Sequence, residues 1–123
     1  MESIGGIISG PDVVDAAREL PKSTKHIQNL LRFSIERDVV LQPNPKKKGG
    51  YRSINWKRPT NIEALLMHVT GVEPEVECNY CNKNQGPFMN CIVSRDNTGN
   101  GACAACHYNS GSNRCSFFLG EQS

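Results

Sequence analysis

No segment of this chain is apolar for long enough to span a bilayer. The opening residues, Met-Glu-Ser-Ile-Gly-Gly-Ile-Ile-Ser-Gly, lack both the basic flank and the apolar run of a secretory signal, so a reducing interior is the expected setting. Cysteine is missing from the first 77 residues, which leaves that half without thiol crosslinks or thiolate ligands. Aliphatic side chains are scarce in the other half, where Gly and Asn abound. A stretch of that composition cannot bury enough surface to fold alone, and metal or disulfides must stand in for a core. Acidic residues are absent between Pro43 and Thr60. Also absent are the His-x-Glu element of a zinc deaminase and any His or Asn singled out to partner a nucleophilic cysteine, so no enzyme is expected.

What is present is concentrated near the end. The last 46 residues carry six cysteines in two triplets, Cys78-x2-Cys81-x9-Cys91 and Cys103-x2-Cys106-x8-Cys115. A C-x2-C pair sets two thiolates at one turn where both reach a single cation, the usual opening of a structural zinc site. Each triplet is one sulfur short of the four ligands that tetrahedral zinc requires. Either two zincs share two bridging thiolates, with Cys78 and Cys103 as the equivalent pair, or one zinc takes both C-x2-C pairs. Three disulfides in a secreted protein are the alternative. Six sulfurs make closed coordination, whereas catalytic zinc keeps an open position. His107, next to Cys106, is poorly placed to bind the same ion, and His26 and His68 read as surface or packing residues. Gly86-Pro87 forces a turn that returns Cys91 to the metal, and Ala102, Ala104 and Ala105 are small enough for backbone amides to approach the sulfurs. Phe88, Tyr108, Phe117 and Phe118 supply a miniature core.

The formal charge of +2 divides unevenly: residues 1–70 hold 11 Lys/Arg against 7 Asp/Glu, and residues 71–123 hold 3 against 5. Pro11 opens a helix with Val13, Val14, Ala17 and Leu20 on one face, and Pro21 ends it. Ser23 is the expected N-cap of a second helix that runs to about Arg37 with Ile27, Leu30, Leu31, Ser34 and Ile35 in its stripe. Lys25, His26, Gln28, Asn29 and Arg32 make up its polar face. Val39–Leu41 and Tyr51–Trp56 read as the strands of a hairpin with Lys46, Lys47 and Lys48 at its tip. Thr60-Asn61-Ile62-Glu63 matches a capping box for a third helix carrying Ile62, Leu65, Leu66 and Val69, with Gly71 as its C-cap. The chain is therefore expected to be α+β: a small helical unit with a basic, winged-helix-like hairpin over residues 1–70, then a metal-stabilised cysteine-rich zinc domain with little regular structure over residues 71–123.

The paired triplets resemble, remotely, the fungal binuclear zinc cluster, in which two cysteine triplets hold two zincs. They differ from it in the first loop, where Lys83 is the only charge and the usual DNA-reading surface is missing. Gly86-Pro87-Phe88-x2-Cys91, Gly101-Ala102-Cys103-Ala104-Ala105-Cys106-His107-Tyr108 and Arg114-Cys115-Ser116-Phe117 are more closely similar to an uncharacterised cysteine-rich domain family of filamentous fungi, over roughly residues 70–118. That resemblance implies fungal origin and zinc held by the six cysteines, and no reaction.

Six positive residues, Lys46, Lys47, Lys48, Arg52, Lys57 and Arg58, fall between Pro43 and Thr60 with Tyr51 and Trp56 interleaved, a stripe able to neutralise phosphates. The expected function is that of a zinc-binding nuclear protein, transcription- or chromatin-linked, that binds DNA through these residues. The alternatives are a zinc-stabilised protein-interaction module, in nucleus or cytoplasm, and a secreted disulfide-bonded effector. Neither a membrane nor a small-molecule substrate is expected.

Overall fold

Pro59 occupies the first turn of the longest helix, Pro59–Thr70, where a missing N–H costs nothing. Ile62, Ala64, Leu65, Leu66, Met67 and Val69 cover every face of this helix, and residues 61–70 are all buried. A helix apolar all round belongs at the centre of a core. A computed structural model, which describes residues 3–21 and 23–119, places it there. In chain order the elements are β1 (Ile7–Ile8), α1 (Gly10–Glu19), α2 (Lys25–Leu30), β2 (Val39–Val40), α3 (Pro59–Thr70), α4 (Asn79–Asn82) and α5 (Ala104–His107), followed by two short 3-10 turns, Tyr108–Ser110 and Ser112–Arg114. Helices α1, α2 and α5, strand β2 and the first 3-10 turn all pack on α3. One cluster of buried residues runs from Ile8 to Cys115. The boundary expected at residue 70 thus falls at the end of the helix that both halves share. The architecture is the small α+β one expected. No helix among the described residues is long and apolar enough to cross a membrane.

Local details depart from the sequence pattern where distant segments compete. Helix α2 starts from Thr24 rather than Ser23, because the Thr24 hydroxyl accepts from the Ile27 N–H while donating to Glu63 at 2.6 Å. It ends at Leu30, well short of Arg37. The N–H groups of Glu36 and Arg37 turn instead to the Val69 carbonyl (2.7 and 3.3 Å), and the Arg37 guanidinium reaches the His68 carbonyl at 2.6 Å. Arg95 donates to the Thr70 carbonyl at 2.8 Å. These bonds satisfy carbonyls that the end of α3 would otherwise leave without partners, and they place positive charge at its negative pole. The capping box at Thr60–Glu63 does not form: α3 begins earlier, with Arg58 at the N-cap and no side-chain cap, and Glu63 points elsewhere.

Among the described residues the hairpin pairs only beside its turn, where Pro43 faces Tyr51, the Asn44 N–H donates to the Gly50 carbonyl at 2.9 Å and the Arg52 N–H to the Gln42 carbonyl at 2.9 Å. The expected strand over Tyr51–Trp56 is irregular beyond Tyr51. Val39–Val40 pairs instead with β1, antiparallel, in the register Ile7↔Val40 and Ile8↔Val39. Leu41 then bridges to Phe88, which ties the basic half to the cysteine-rich half.

His68 is fully buried on α3 with neither ring nitrogen hydrogen-bonded, its ring edge-on to Phe88 at 4.9 Å. Burial pushes its pKa down from 6.5 to about 3. As pH falls below 6.5, the unfolded chain takes a proton that the folded one refuses, so stability is lost with acidification. Replacing His68 with Leu removes two orphan nitrogens at similar volume and is expected to hold or raise stability. Denaturant melts at about pH 7 and about pH 5 are expected to show a smaller loss for the variant than for wild type, the ring being the only titrating group changed.

Candidate metal centre

Cys78 and Cys103 sit at equivalent places. Each is the N-cap of a one-turn helix, α4 and α5, and the second cysteine of each pair, Cys81 or Cys106, lies on that turn. The Cys78 N–H donates to the Cys91 sulfur at 3.4 Å, and the Cys103 N–H to the Cys115 sulfur at 3.5 Å. The Cys81 N–H donates to the Cys78 sulfur at 3.3 Å. Amide bonds of this kind stabilise thiolate charge and fix sulfur direction. Reciprocal bonds between Asn79 and Ser116, at 2.9 and 3.1 Å, hold the two halves together, and Val93 bridges both Val72 and Cys103. Gly86 makes its turn at φ +87°, where only glycine is unstrained, and Ala104 and Ala105 have no exposed surface.

All six sulfurs are buried and none is in a disulfide. They form two quartets whose members lie within 4.8 Å of one another: Cys78, Cys81, Cys91 and Cys103, and Cys78, Cys103, Cys106 and Cys115. Cys78 and Cys103 belong to both. Cys78 lies 3.7 Å from Cys103 and 3.8 Å from Cys106, and Cys81 lies 3.6 Å from Cys103. A tetrahedron of sulfurs each ~2.3 Å from a central ion has edges of about 3.8 Å, so these separations suit ligands around a metal. They are far longer than an S–S bond of ~2.05 Å. The quartet formed by the two C-x2-C pairs is not one of those that gather.

The electrostatics point the same way. Hydrogen bonds from Cys103 and then Cys81 draw Cys91 down to about 3, and bonds from Cys103 and Cys106 draw Cys115 down to about 2. Cys106 is pushed up by its contacts with Cys103 and Cys115. For Cys103 the bond with Cys106 pulls downward, but those with Cys115, Cys81 and Cys91 push it up. Cys81 likewise rises, against the pull of Cys103, through Cys106, Cys91 and burial. Sulfurs packed this tightly cannot all be thiolates unless a cation lies among them.

His107 is not aimed at the sulfurs. Its Nε2 lies 2.8 Å from Glu63 Oε1, where it donates to the carboxylate, and its Nδ1 lies 2.7 Å from the Ser112 hydroxyl. Burial pushes Glu63 up, but the bonds from His107 and Thr24 outweigh it and hold the carboxyl below its usual range. Thr24, Glu63, His107 and Ser112 thus form a polar strut from α2 through α3 to α5. On the polar face of α2, His26 meets the Thr98 hydroxyl at 3.0 Å and Asn29 donates to Asp96 at 2.7 Å, so these two residues hold the loop before Cys103. Phe88 and Tyr108 are buried and meet edge to face at 5.9 Å, with Phe117 and Phe118 partly buried against the core.

The six basic residues separate into groups. Lys46, Lys47 and Lys48 are exposed on the tight turn, with the Lys46 N–H donating to Asn44 Oδ1. Lys46 and Arg52 line a cavity of about 670 Å³. Arg58 donates to Asn109 and Ser110 at 3.4 and 3.1 Å, and Lys57 faces another side, beside Trp56 and Leu20. The same cavity draws in Tyr80, Gln85 and Arg114 from the cysteine-rich half, none of which the sequence pattern singled out as binding residues. Only the return of that half onto the hairpin brings them there.

Fold and site together define a small α+β protein whose C-terminal half is organised by buried cysteines able to hold metal. Residues 64–118 match the model of a family described as a protein of unknown function (DUF3716). That match takes in the second half of α3 as well as all six cysteines, so it begins earlier than the resemblance expected from residue 70. No curated protein and no solved structure matches the chain.

Proposed function

We propose that this chain binds two zinc ions bridged by Cys78 and Cys103, and that it is a DNA-binding, transcription-linked protein of the nucleus that meets phosphates through its basic hairpin. The observation that carries the metal reading is the pair of sulfur quartets with two members in common. An all-thiolate, closed, tetrahedral donor set suits zinc. The ions supply crosslinks where aliphatic side chains are too few, and we assign them no catalytic part, since every position is taken by sulfur.

Support for DNA comes from the exposed lysines of the hairpin tip and from charge balance. Among the described residues no carboxylate forms an ion pair with Lys46, Lys47, Lys48, Arg52, Lys57 or Arg58. Affinity for duplex DNA is expected to fall steeply with salt, and changing Lys46, Lys47 and Lys48 together to Ala to lower the slope by up to about 3, at ~0.9 per phosphate. Failure of the wild type to bind either duplex or single-stranded DNA at low salt would remove the DNA reading. A second reading, docking of another protein, is favoured by the exposed acidic run Glu73, Glu75 and Glu77, within which Val76 is 75% exposed. Salt-insensitive capture of a protein partner, without DNA binding, would select it.

A further inference from the structure

We propose that the cavity between the hairpin and the metal centre is a groove for single-stranded nucleic acid, closed on one side by Arg114. This rests on the reading that the basic half binds nucleic acid, and it names the form bound. The cavity, of about 670 Å³, has Lys46 and Arg52 from the hairpin and Tyr80, Gln85 and Arg114 from the cysteine-rich half, and no carboxylate among the described residues lines it. Arg52 lines the groove, no carboxylate among the described residues pairs with it, and its Nε is buried without a hydrogen-bond partner. Arg114 lies over the Tyr80 ring at 4.6 Å, which fixes the plane of its guanidinium.

The neutral groups of the lining also offer donors. The side-chain oxygens of Asn44, Asn55 and Asn109 accept from the Lys46 N–H, the Lys57 N–H and Arg58 respectively. Each of these amides also carries N–H groups able to donate to an occupant. A site with cations and donors but no carboxylate takes an anion, and its extent argues for a chain of anions. Lys47 and Lys48 line an adjoining hollow that shares Asn44, and Arg58 extends the positive track beyond Asn109. Tyr51, 44% exposed, lies in the same hollow and offers a face for a base. A positive groove with aromatic faces along it is how single strands are held, whereas a rigid duplex meets convex surfaces or inserted helices.

Fluorescence anisotropy on the metal-loaded full chain tests this with three probes: a short oligothymidylate, the same strand annealed to its complement, and an oligoglutamate peptide. The oligothymidylate is expected to bind most tightly, with a log–log salt slope of about −2 for three phosphate contacts at ~0.7 each. Arg114→Gln and, separately, Arg52→Gln are expected to weaken it about tenfold, the loss of one charge-assisted contact, with metal content and thermal transition unchanged. Two variants, one from each half, keep the test valid if one fails to fold. Preference for the duplex, or equal binding by wild type and both variants while the triple lysine variant loses affinity, overturns the groove and leaves the DNA reading standing. Binding of oligoglutamate alone overturns the ligand class, and binding of no nucleic acid overturns both readings.

Discussion

Replacing Cys103 with Ser is expected to release both metal ions and to unfold the chain. Cys103 is shared by the two sulfur quartets and has no exposed surface, so in the two-zinc reading its loss leaves each ion a ligand short. Ligation of structural zinc is worth about 10–16 kcal/mol, against a whole-domain stability of about 5–15 kcal/mol. The consequence should not stop at residue 71, because α3 packs against α5 and the buried cluster is continuous from Ile8 to Cys115. Cys115→Ser touches one quartet only. It is therefore expected to retain about half the metal and more of the fold. Elemental analysis with far-ultraviolet circular dichroism separates the two variants, and equal metal loss from both would deny that Cys103 is special.

The second large effect concerns a residue without a side chain. At Gly71 an added Cβ would lie 2.2 Å from the Val93 carbonyl oxygen and 2.4 Å from that of Met67. Both neighbours are backbone, so neither can swing aside. Gly71 has an ordinary φ of −85°, and the demand is therefore one of space alone. Its close approach lets Val72 pair with Val93 through two bonds of 2.9 Å, and Val93 in turn bridges to Cys103. Gly71→Ala is expected to cost about 3 kcal/mol or more, at or beyond the upper end of overpacking effects, read as a lowered denaturation midpoint of the metal-loaded protein. A midpoint within error of wild type would show that the helix end and the Val93 segment can part cheaply.

The cysteine arithmetic was legible because it is local: spacing alone puts two thiolates on one turn, and the equivalence of Cys78 and Cys103 follows from the repeat. The same holds for the apolar stripes of α1 and α3 and for Gly71 as the end of α3. Where a residue's partner is remote, local pattern misleads. Glu63 has the spacing of a capping residue but bonds to His107, 44 positions away. Residues 31–37 continue an apolar helical stripe, yet the amides of Glu36 and Arg37 cap α3 instead. Strand β1 is two residues long, set between glycines, and gains its partner only through the fold. Arg114 sits next to a cysteine in sequence, and its place in one cavity with Arg52 depends on the return of the cysteine-rich half over the hairpin.

The association of the sulfurs with metal is tested most directly by native mass spectrometry of the purified, reduced chain, combined with elemental identification of what it carries. Two zinc ions per chain, with all six cysteines alkylatable only after metal removal, is the result required. A chain that carries one ion, or none with its cysteines oxidised in pairs, would contradict the bridged cluster.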